Sequence, residues 1–176
     1  YAFEAGKRAI EAHYQRTGID AEVHQGEFLG LYRTKFHRDH DPLISIIIPN
    51  KDHIDDLKRC MDSIEQKSTY RNYEFIIVEN NSTEDSTFEY YKEIEAQNPK
   101  VHVVYWDKEF NYSAINNYGA TFAKGEYILL LNNDTEIIEP DCIQEMLGFC
   151  QREDVGIVGA RLLYADDTIQ HAGVVV

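Results

Sequence analysis

The chain has 176 residues, of which 31 are acidic and 17 are basic, and its formal net charge is −14. This length suits one domain that buries roughly two-thirds of its unfolded surface. The negative charge argues against a nucleic-acid partner and against binding an anionic membrane by charge. An acidic protein that binds a phosphate-bearing ligand needs a cation or helix amino termini to offset the repulsion.

The sequence shows neither a signal-peptide pattern nor an apolar stretch of membrane-spanning length. Its three cysteines, Cys60, Cys142 and Cys150, are an odd number without metal-ligand spacing, so we expect reduced thiols in a cytosolic protein. The first residue is not methionine, and the last residues form an apolar run, Val174–Val176. We therefore expect a piece of a longer protein.

The first 41 residues differ in pattern from the rest and are expected to form an extension. An apolar stripe through Phe3, Ile10 and Tyr14 predicts a helix, and residues 23–36 predict short strands. The segment HRDHDP, residues 37–42, contains two histidines among acidic residues. A metal site and a solvated linker are both compatible with it, and the linker is the more ordinary interpretation.

From residue 42 to residue 176, short apolar runs alternate with amphipathic helical stretches, which predicts one main domain continuing past the last residue. The predicted strands are 43–48, 75–78, 101–104, 128–131 and 155–158. Pro49 is expected to end the first strand, because proline cannot donate to a central ladder. The run from Ile128 predicts a central strand buried on both faces. Such alternation predicts an α/β fold with a mostly parallel sheet flanked by helices.

Several residues are expected to begin or end these elements. Asp52 is expected to cap the first helix of the main domain, and Ser82 with Asp85 resembles a capping box for the next helix. Asn98-Pro99 is expected to end that second helix. Near the end of the chain, Ala165-Asp166-Asp167 predicts a hairpin turn.

Polar side chains follow three predicted strands where each strand ends, in segments 49–52, 79–82 and 132–134. Carboxyl ends of parallel strands form the edge at which open α/β sheets bind ligands. The single carboxylate of Asp134 suits magnesium or manganese, which complete their shells with water and substrate phosphates. An Asn-Asn-Asp turn that binds no ligand would give the same sequence pattern. Two glycine-rich loops commonly bind phosphate, Gly-x-Gly-x-x-Gly and Gly-x-x-x-x-Gly-Lys, and neither occurs in the sequence at the expected place. A nucleotide would therefore be held mainly by a metal.

With these motifs in this order, the chain resembles family 2 of the glycosyltransferases, inverting enzymes of the GT-A (Rossmann-like) fold that use nucleotide sugars. The similarity is close in FNYSAINNYGA (110–120), AKGEYILLLNNDTEI (123–137) and VGIVGARLLYADDTIQHAGVVV (155–176). These stretches resemble the bacterial branch that builds surface polysaccharides. The resemblance covers roughly residues 42–176.

The resemblance implies roles for individual residues. Asp134 matches the metal-binding carboxylate of the family's Asp-x-Asp motif, and Asn132 matches its first position. Asn80 falls where many members place an aspartate against the nucleotide base, and Glu79 is expected to hold the loop or the ribose. Lys51 stands where the family often has an aromatic residue, and its stem or its ammonium could contact the base or a phosphate.

The full set expected to bind the donor nucleotide extends to residues near the same edge. It comprises Pro49, Asn50, Lys51, Glu79, Asn80, Asn111, Asn116, Asn132 and Asn133. Asn111 could instead simply cap its helix, and Asn117 is expected to face solvent. His171 has two interpretations, a contact with the donor sugar and a structural histidine.

The implied function is inverting transfer of a sugar from a nucleotide-diphosphate donor, with UDP- and dTDP-sugars favoured and Mn²⁺ or Mg²⁺ required. The acceptor would be a glycan or lipid-linked, and the reaction would belong to cell-surface polysaccharide synthesis. We expect a cytoplasmic protein, held at the inner face of the membrane if other parts or partners place it there. The family's general base is expected beyond residue 176, so we expect binding with little turnover.

Two other classes stay open. A sugar nucleotidyltransferase would share the sheet and the metal, but it needs a loop rich in glycine and basic residues after its first strand. The segment PNKDH, residues 49–53, is not such a loop. A non-catalytic module that binds a nucleotide or a glycan would keep the fold and need no metal.

Overall fold

The computed structural model describes residues 2–38 and 40–173. Its elements in chain order are α1 Ala2–Thr17, β1 Ala21–Gln25, β2 Tyr32–Phe36, β3 Ile44–Asn50, α2 Ile54–Lys67, β4 Tyr73–Glu79, α3 Asp85–Gln97, β5 Val101–Tyr105, α4 Tyr112–Ala120, β6 Tyr127–Leu130, α5 Cys142–Cys150, β7 Leu162–Leu163 and β8 Ile169–His171. They group into two compact units. The first unit combines Tyr1–His40 with Asp141–Val176, and the second is Asp41–Pro140. Among the described residues, no helix is both long and apolar enough to cross a membrane.

The first unit contains the predicted helix and short strands of the chain's beginning. Strands β1 and β2 pair antiparallel, and α1 contacts β1. Helix α5 packs against β2, where the rings of Phe36 and Phe149 meet edge to face with centroids 4.8 Å apart. Strands β7 and β8 form a hairpin whose turn is closed by Tyr164 and Thr168, so the predicted turn at residues 165–167 is confirmed.

The second unit is built on a four-stranded sheet in the order β5-β4-β3-β6, and every pairing in it is parallel. Strands β3 and β4 are buried along almost their whole length. Helices α2, α3 and α4 connect the strands, so the predicted α/β class with a parallel sheet is confirmed. Helix α3 also ends at Gln97, directly before Asn98-Pro99 as predicted.

The two faces of this sheet are covered by different helices. Helix α4 packs Ile115 against Ile47, Ile76 and Val78, all of them fully buried. Side chains alternate between faces along a strand, so Asn50 and Glu79 point to the opposite face. There both of them contact a residue of α3. The last residue of β3 and the last residue of β4 therefore reach the same helix.

Strand β6 is an edge strand, and the predicted central strand buried on both faces was wrong. Strand β6 pairs with β3 alone within the described residues. Ile128 and Leu130 remain 49% and 48% exposed. An unbroken apolar run does not distinguish a central strand from an edge strand, because periodicity carries no information about the number of neighbours.

Pro49 was predicted to end the first strand of the sheet. That prediction was wrong, because β3 continues to Asn50. Alternate residues of a strand in a parallel sheet bond to opposite neighbours. The carbonyl of Ile47 accepts from Leu131 on the β6 side, whereas the carbonyl of Asn50 accepts from Asn80 on the β4 side. Pro49 therefore faces the β6 side, beyond the last paired residue of β6. Proline has no N–H to donate on that side, and the ladder with β6 ends there.

Residues 155–158 were predicted as a fifth strand, and that prediction was wrong because the segment has no regular structure. Ile157 is 91% exposed. Gly156 interrupts the run, and no described strand pairs with it. Helix α4 ends at Ala120, so Phe122 lies outside it.

Candidate functional site

Three strand ends of the parallel sheet meet at one residue, Asn50. Nδ2 of Asn133, in the turn after β6, donates to Oδ1 of Asn50 at 2.6 Å. The main-chain N–H of Asn80, after β4, donates to the carbonyl of Asn50 at 2.9 Å. Asn50 is only 3% exposed, so its amide is fixed inside this edge of the sheet. The structure thus brings together the three polar segments that the sequence singles out.

A set of polar side chains, all but one of them buried, lies behind this edge. We call these residues, Asn50, Glu79, Tyr91 and the partly buried Ser82, the Tyr91 network. Nδ2 of Asn50 donates to Oη of Tyr91 at 2.7 Å, and Oη donates to Oε2 of Glu79 at 2.8 Å. The N–H and hydroxyl of Ser82 both donate to the Glu79 carboxylate at 2.6 Å. Glu79 therefore holds the loop after β4, whereas its expected contact with ribose stays a prediction.

Asp52 caps α3, so its predicted role at α2 was wrong. Helix α2 begins after His53 without a side-chain cap. Both Asp52 and His53 have positive φ, 51° and 48°, and in this turn the Asp52 carboxylate accepts from the N–H groups of Thr83 and Glu84 at 2.9 and 3.1 Å. Desolvation opposes ionisation of Asp52, but these hydrogen bonds outweigh it and lower its pKa.

The predicted capping box of Ser82 and Asp85 was also wrong. The N-cap residue, directly before α3, is Glu84, and its side chain makes no capping hydrogen bond. The Ser82 hydroxyl instead accepts from the N–H of Asp52 at 2.7 Å while it donates to Glu79. The capping pattern was misleading because a partner distant in sequence competes for the hydroxyl.

The amide of Asn80 holds the loop that follows β5. Its Nδ2 donates to the carbonyls of Trp106 and Lys108, both at 3.0 Å. The Lys108 ammonium lies 5.0 Å from the centroid of the Trp106 ring, a cation–π distance. Both N–H groups of the amide are therefore taken, and Oδ1 is its remaining polar atom. The expected contact of Asn80 with a nucleotide base stays a prediction.

Asp134 presents its carboxylate to solvent in the turn after β6. Within residues 2–38 and 40–173, neither a hydrogen bond nor an ion pair engages this carboxylate. The turn itself is fixed, because the carbonyl of Asn132 accepts from Oγ1 of Thr135 at 2.6 Å and from Sγ of Cys60 at 3.6 Å. Burial raises the pKa of Cys60 to about 11, so the thiol remains a neutral donor.

The donor chemistry of this turn fits a hard divalent cation only in part. The described residues contain no group of three or more histidine, cysteine, aspartate or glutamate side chains placed to hold a metal. Asp134 offers one unpaired carboxylate, and the side-chain amide of Asn132 is exposed beside it. Magnesium and manganese accept one or two carboxylates when phosphate and water complete the shell. A cation here would therefore depend on the phosphates of a ligand.

Helix α4 carries two of the predicted site residues. Oδ1 of Asn111 accepts from the N–H of Ala114 at 2.9 Å, so Asn111 caps the helix. Asn116 is 4% exposed, and its Nδ2 donates to the carbonyl of Tyr112 at 2.8 Å. Its buried Oδ1 has no hydrogen-bond partner in the described part of the chain. Asn117 faces solvent, as expected.

The remaining predicted residues are less constrained. Lys51 is exposed, and its ammonium makes neither an ion pair nor a hydrogen bond with any described residue. Pro49 is half-buried within β3. His171 is exposed at the end of β8, in the first unit, and its contact with a donor sugar stays a prediction.

A cavity of about 490 Å³ opens in the first unit and is lined mostly by β2, the residues that follow it and α5. Its lysine, Lys35, lies 2.9 Å from Asp141 and 3.3 Å from Glu145. The hydrogen bond to Asp141 raises the pKa of Lys35. His37, from the segment that suggested a metal site, pairs with Asp20 at 2.7 Å. These pairs indicate a structural ion network, and residue 39 lies outside the described residues.

Sequence reasoning missed Tyr91 as a residue of the site. Its spacing with Phe88 and Ile94 is typical of the apolar face of a helix, and the sequence gives no sign that its hydroxyl contacts Asn50. Only the pairing of β3 with β4, which sets Asn50 beside Glu79, creates that contact.

The sequence model of Glycosyl transferase family 2 matches residues 45–172. The chain belongs to this family. It is 41% identical over 175 residues to the O-antigen biosynthesis protein RfbC of Myxococcus xanthus, and 44% identical over 177 residues to the uncharacterised protein y4gI of Sinorhizobium fredii. The chain spans 14% and 20% of the lengths of these two relatives.

The fold of this family 2 chain is also similar to that of a solved glycosyltransferase. The mannosyltransferase PcManGT of Pyrobaculum calidifontis, solved in complex with GDP-Man and Mn²⁺, matches with a TM-score of 0.60 at 18% identity. The match covers 67% of this chain and 35% of the mannosyltransferase. It supports the GT-A fold for this chain.

Proposed function

We propose that this chain is the donor-binding part of an inverting glycosyltransferase that builds cell-surface polysaccharide. The donor is a nucleoside-diphosphate sugar, with UDP- and dTDP-sugars favoured, and the acceptor is a glycan or lipid-linked. The single observation that carries the proposal is the unpaired, exposed carboxylate of Asp134 at the carboxyl edge of the parallel sheet. The family match, the relative named for O-antigen biosynthesis and the Mn²⁺ bound in the structural neighbour support it.

In the proposed reaction, the acceptor oxygen forms a bond to the anomeric carbon on the face opposite the leaving group. The bond from that carbon to the diphosphate oxygen breaks, and its electron pair leaves with the nucleoside diphosphate. Asp134 would hold a divalent cation, either Mn²⁺ or Mg²⁺, whose charge would offset the negative charge developing on the leaving diphosphate. The residue that takes the acceptor's proton is left unassigned.

Other residues of the edge have proposed roles toward the donor. Oδ1 of Asn80 recognises the base, because both N–H groups of that amide are taken by the loop after β5. The free ammonium of Lys51 contacts the base or a phosphate. The buried, unpartnered Oδ1 of Asn116 accepts from a donor group of the ligand, since an unsatisfied buried acceptor is costly. Asn111 places the amino terminus of α4 toward the diphosphate.

The test is a thermal-shift panel of UDP, dTDP, GDP and CDP, each with and without Mn²⁺. A ligand at about 100 times its dissociation constant adds roughly 2.7 kcal/mol of stability. A chain of this size moves by about 2–4 °C per kcal/mol, so the correct nucleotide should raise the melting temperature by about 5–10 °C in Mn²⁺. The Asp134→Asn variant should lose this shift.

The matched control is Asp167→Asn, which makes the same chemical change in an exposed turn of the first unit. Asp167 has a φ of 65°, a conformation that asparagine also adopts readily. This variant should keep the full shift. A shift that needs no Mn²⁺ and survives in Asp134→Asn would contradict a metal at Asp134. No shift with any nucleotide would instead favour a non-catalytic module.

A further inference from the structure

The Tyr91 network connects the interior of α3 to the turn that carries Asp134. Its first step is the hydroxyl of Tyr91, which donates to Glu79 and accepts from Nδ2 of Asn50. Its second step is Oδ1 of Asn50, which accepts from Nδ2 of Asn133. Asn133 precedes Asp134 directly in the turn after β6. The three contacts measure 2.8, 2.7 and 2.6 Å, so no step depends on a stretched hydrogen bond.

The orientation of the Asn50 amide depends on both of these partners. An amide can be turned end for end, exchanging its donor and its acceptor. The phenol oxygen, which already donates its proton to Glu79, can only accept, so it requires the Nδ2 end of Asn50. The carbonyl of Asp52, also bonded to Nδ2 at 2.8 Å, makes the same demand. Oδ1 is thereby kept toward the side chain of Asn133.

We propose that Tyr91 is a positioning residue that fixes the metal-binding turn at Asn133-Asp134 by orienting the amide of Asn50. This inference rests on the proposed function, since it presumes a cation at Asp134. Tyr91 itself is fully buried and touches neither the cation nor the donor. Its effect passes through Asn50 and Asn133 to the backbone of the turn, as outer-shell groups act on metal ligands.

A tyrosine that only fills the core would look similar, because Tyr91 also packs its ring edge to face with Phe88. The two roles differ in what the hydroxyl does. The ring alone is enough for packing, whereas positioning needs the oxygen that links Glu79 to Asn50. Burial together with the bond to Glu79 raises the pKa of Tyr91, so the phenol keeps the proton that it donates. Replacing tyrosine by phenylalanine separates the two roles.

The experiment titrates Mn²⁺ by electron paramagnetic resonance into the whole chain, in saturating amounts of whichever of UDP, dTDP, GDP or CDP gives the manganese-dependent shift. Tyr91→Phe should weaken Mn²⁺ binding by about 3- to 10-fold, at or below the lower end of typical outer-shell effects. Raising Mn²⁺ to saturation should restore the wild-type nucleotide affinity. The matched control is Tyr90→Phe, next along α3, since Tyr90 takes no part in the network and should bind Mn²⁺ as the wild type does.

Wild-type Mn²⁺ affinity in Tyr91→Phe, even with a lowered melting temperature, would show a packing role only and overturn the proposal. An equal loss in Tyr90→Phe would overturn it as well. If Tyr91→Phe does not fold, Asn50→Ser replaces it, because the shorter side chain cannot reach Tyr91 and Asn133 together, and unchanged Mn²⁺ binding there overturns the proposal. If the wild type shows no manganese-dependent shift, the proposed function itself has failed, and this inference fails with it.

Discussion

The asparagines at the edge of the parallel sheet supply hydrogen bonds without adding charge. Asn50, Asn80 and Asn133 tie the ends of neighbouring elements together through their side-chain amides. The amide of Asn50 both donates and accepts, whereas those of Asn80 and Asn133 donate. In a chain with a net charge of −14, carboxylates in these places would repel a diphosphate. Amides allow this edge to be rigid while one exposed carboxylate, Asp134, is available to a cation.

A prediction at the residue scale concerns Asp52, whose carboxylate receives the N–H groups at the start of α3. Its pKa is lowered in the folded protein, so it stabilises the fold above its unfolded pKa of about 3.9 and loses this effect as pH falls through the folded value. Asp52→Ala should therefore lower the free energy of unfolding clearly at about pH 7 and much less at about pH 3. Urea denaturation at both pH values measures the difference.

The control for that experiment is Asp55→Ala in the first turn of α2. Asp55 is exposed and forms no side-chain hydrogen bond with any described residue. Asp55→Ala should therefore lower the free energy of unfolding only slightly at both pH values. If Asp52→Ala were equally destabilising at low and neutral pH, the negative charge of Asp52 would not contribute to the stability gained from its hydrogen bonds with Thr83 and Glu84.

At the scale of elements, the approach of α4 to the sheet depends on Gly119. A Cβ at this position would lie 2.7 Å from Cγ2 of Ile47 and 2.8 Å from Cγ2 of Val78, and both of these side chains are fully buried and β-branched. Overpacking a core costs about 1–3 kcal/mol, whereas alanine's better helix propensity returns at most about 1 kcal/mol. Gly119→Ala should therefore lower the free energy of unfolding by about 1–2 kcal/mol, as measured by urea denaturation.

Gly156→Ala is the matched control, because a Cβ there meets no atom within 4 Å. Its free energy of unfolding should stay within about 0.5 kcal/mol of the wild type. Should Gly119→Ala prove as stable as the wild type, α4 must be able to move away from β3 and β4 at little cost. The tight packing of that helix against the sheet would then not be required.

The sequence predicted the elements of the sheet better than their neighbours. Apolar runs and helix stops placed β3, β4, β5 and β6, since hydrophobic period and proline act locally. Two features depend on which strand lies alongside: β6 is at the edge of the sheet, and β3 continues past Pro49. The sequence of a single segment does not contain that information. The cap of α3 was missed for the same reason, because Asp52 reaches it from another strand's loop.

At the scale of the whole chain, the candidate site was predictable where it follows from topology. Parallel strands bring their carboxyl ends to one edge, so the meeting of Asn50, Asn80 and Asn133 could be expected from strand order alone. The Tyr91 network could not be predicted in this way, because it requires the register that sets Asn50 opposite Glu79. For Asp134, the spacing alone fits a simple turn as well as a metal ligand, and only the resemblance to family 2 implies the metal role that we propose.

The last prediction concerns turnover by the 176-residue chain. Four carboxylates follow the ends of β3, β4 and β6, and each is engaged or has a proposed role. Glu79 is buried under three hydrogen bonds, Asp52 caps α3, Glu136 pairs with Arg59 and Lys67, and Asp134 is proposed to bind the cation. A general base must instead be free to reach the acceptor hydroxyl. We therefore expect the chain to bind a nucleotide sugar and transfer it poorly. Chromatographic measurement of nucleotide release from UDP-, dTDP- and GDP-sugars, with and without a glycan acceptor, tests this expectation. Rapid sugar transfer that disappears in Asp134→Asn and persists in Asp167→Asn would show that one of these carboxylates, or another residue of this chain, is the base.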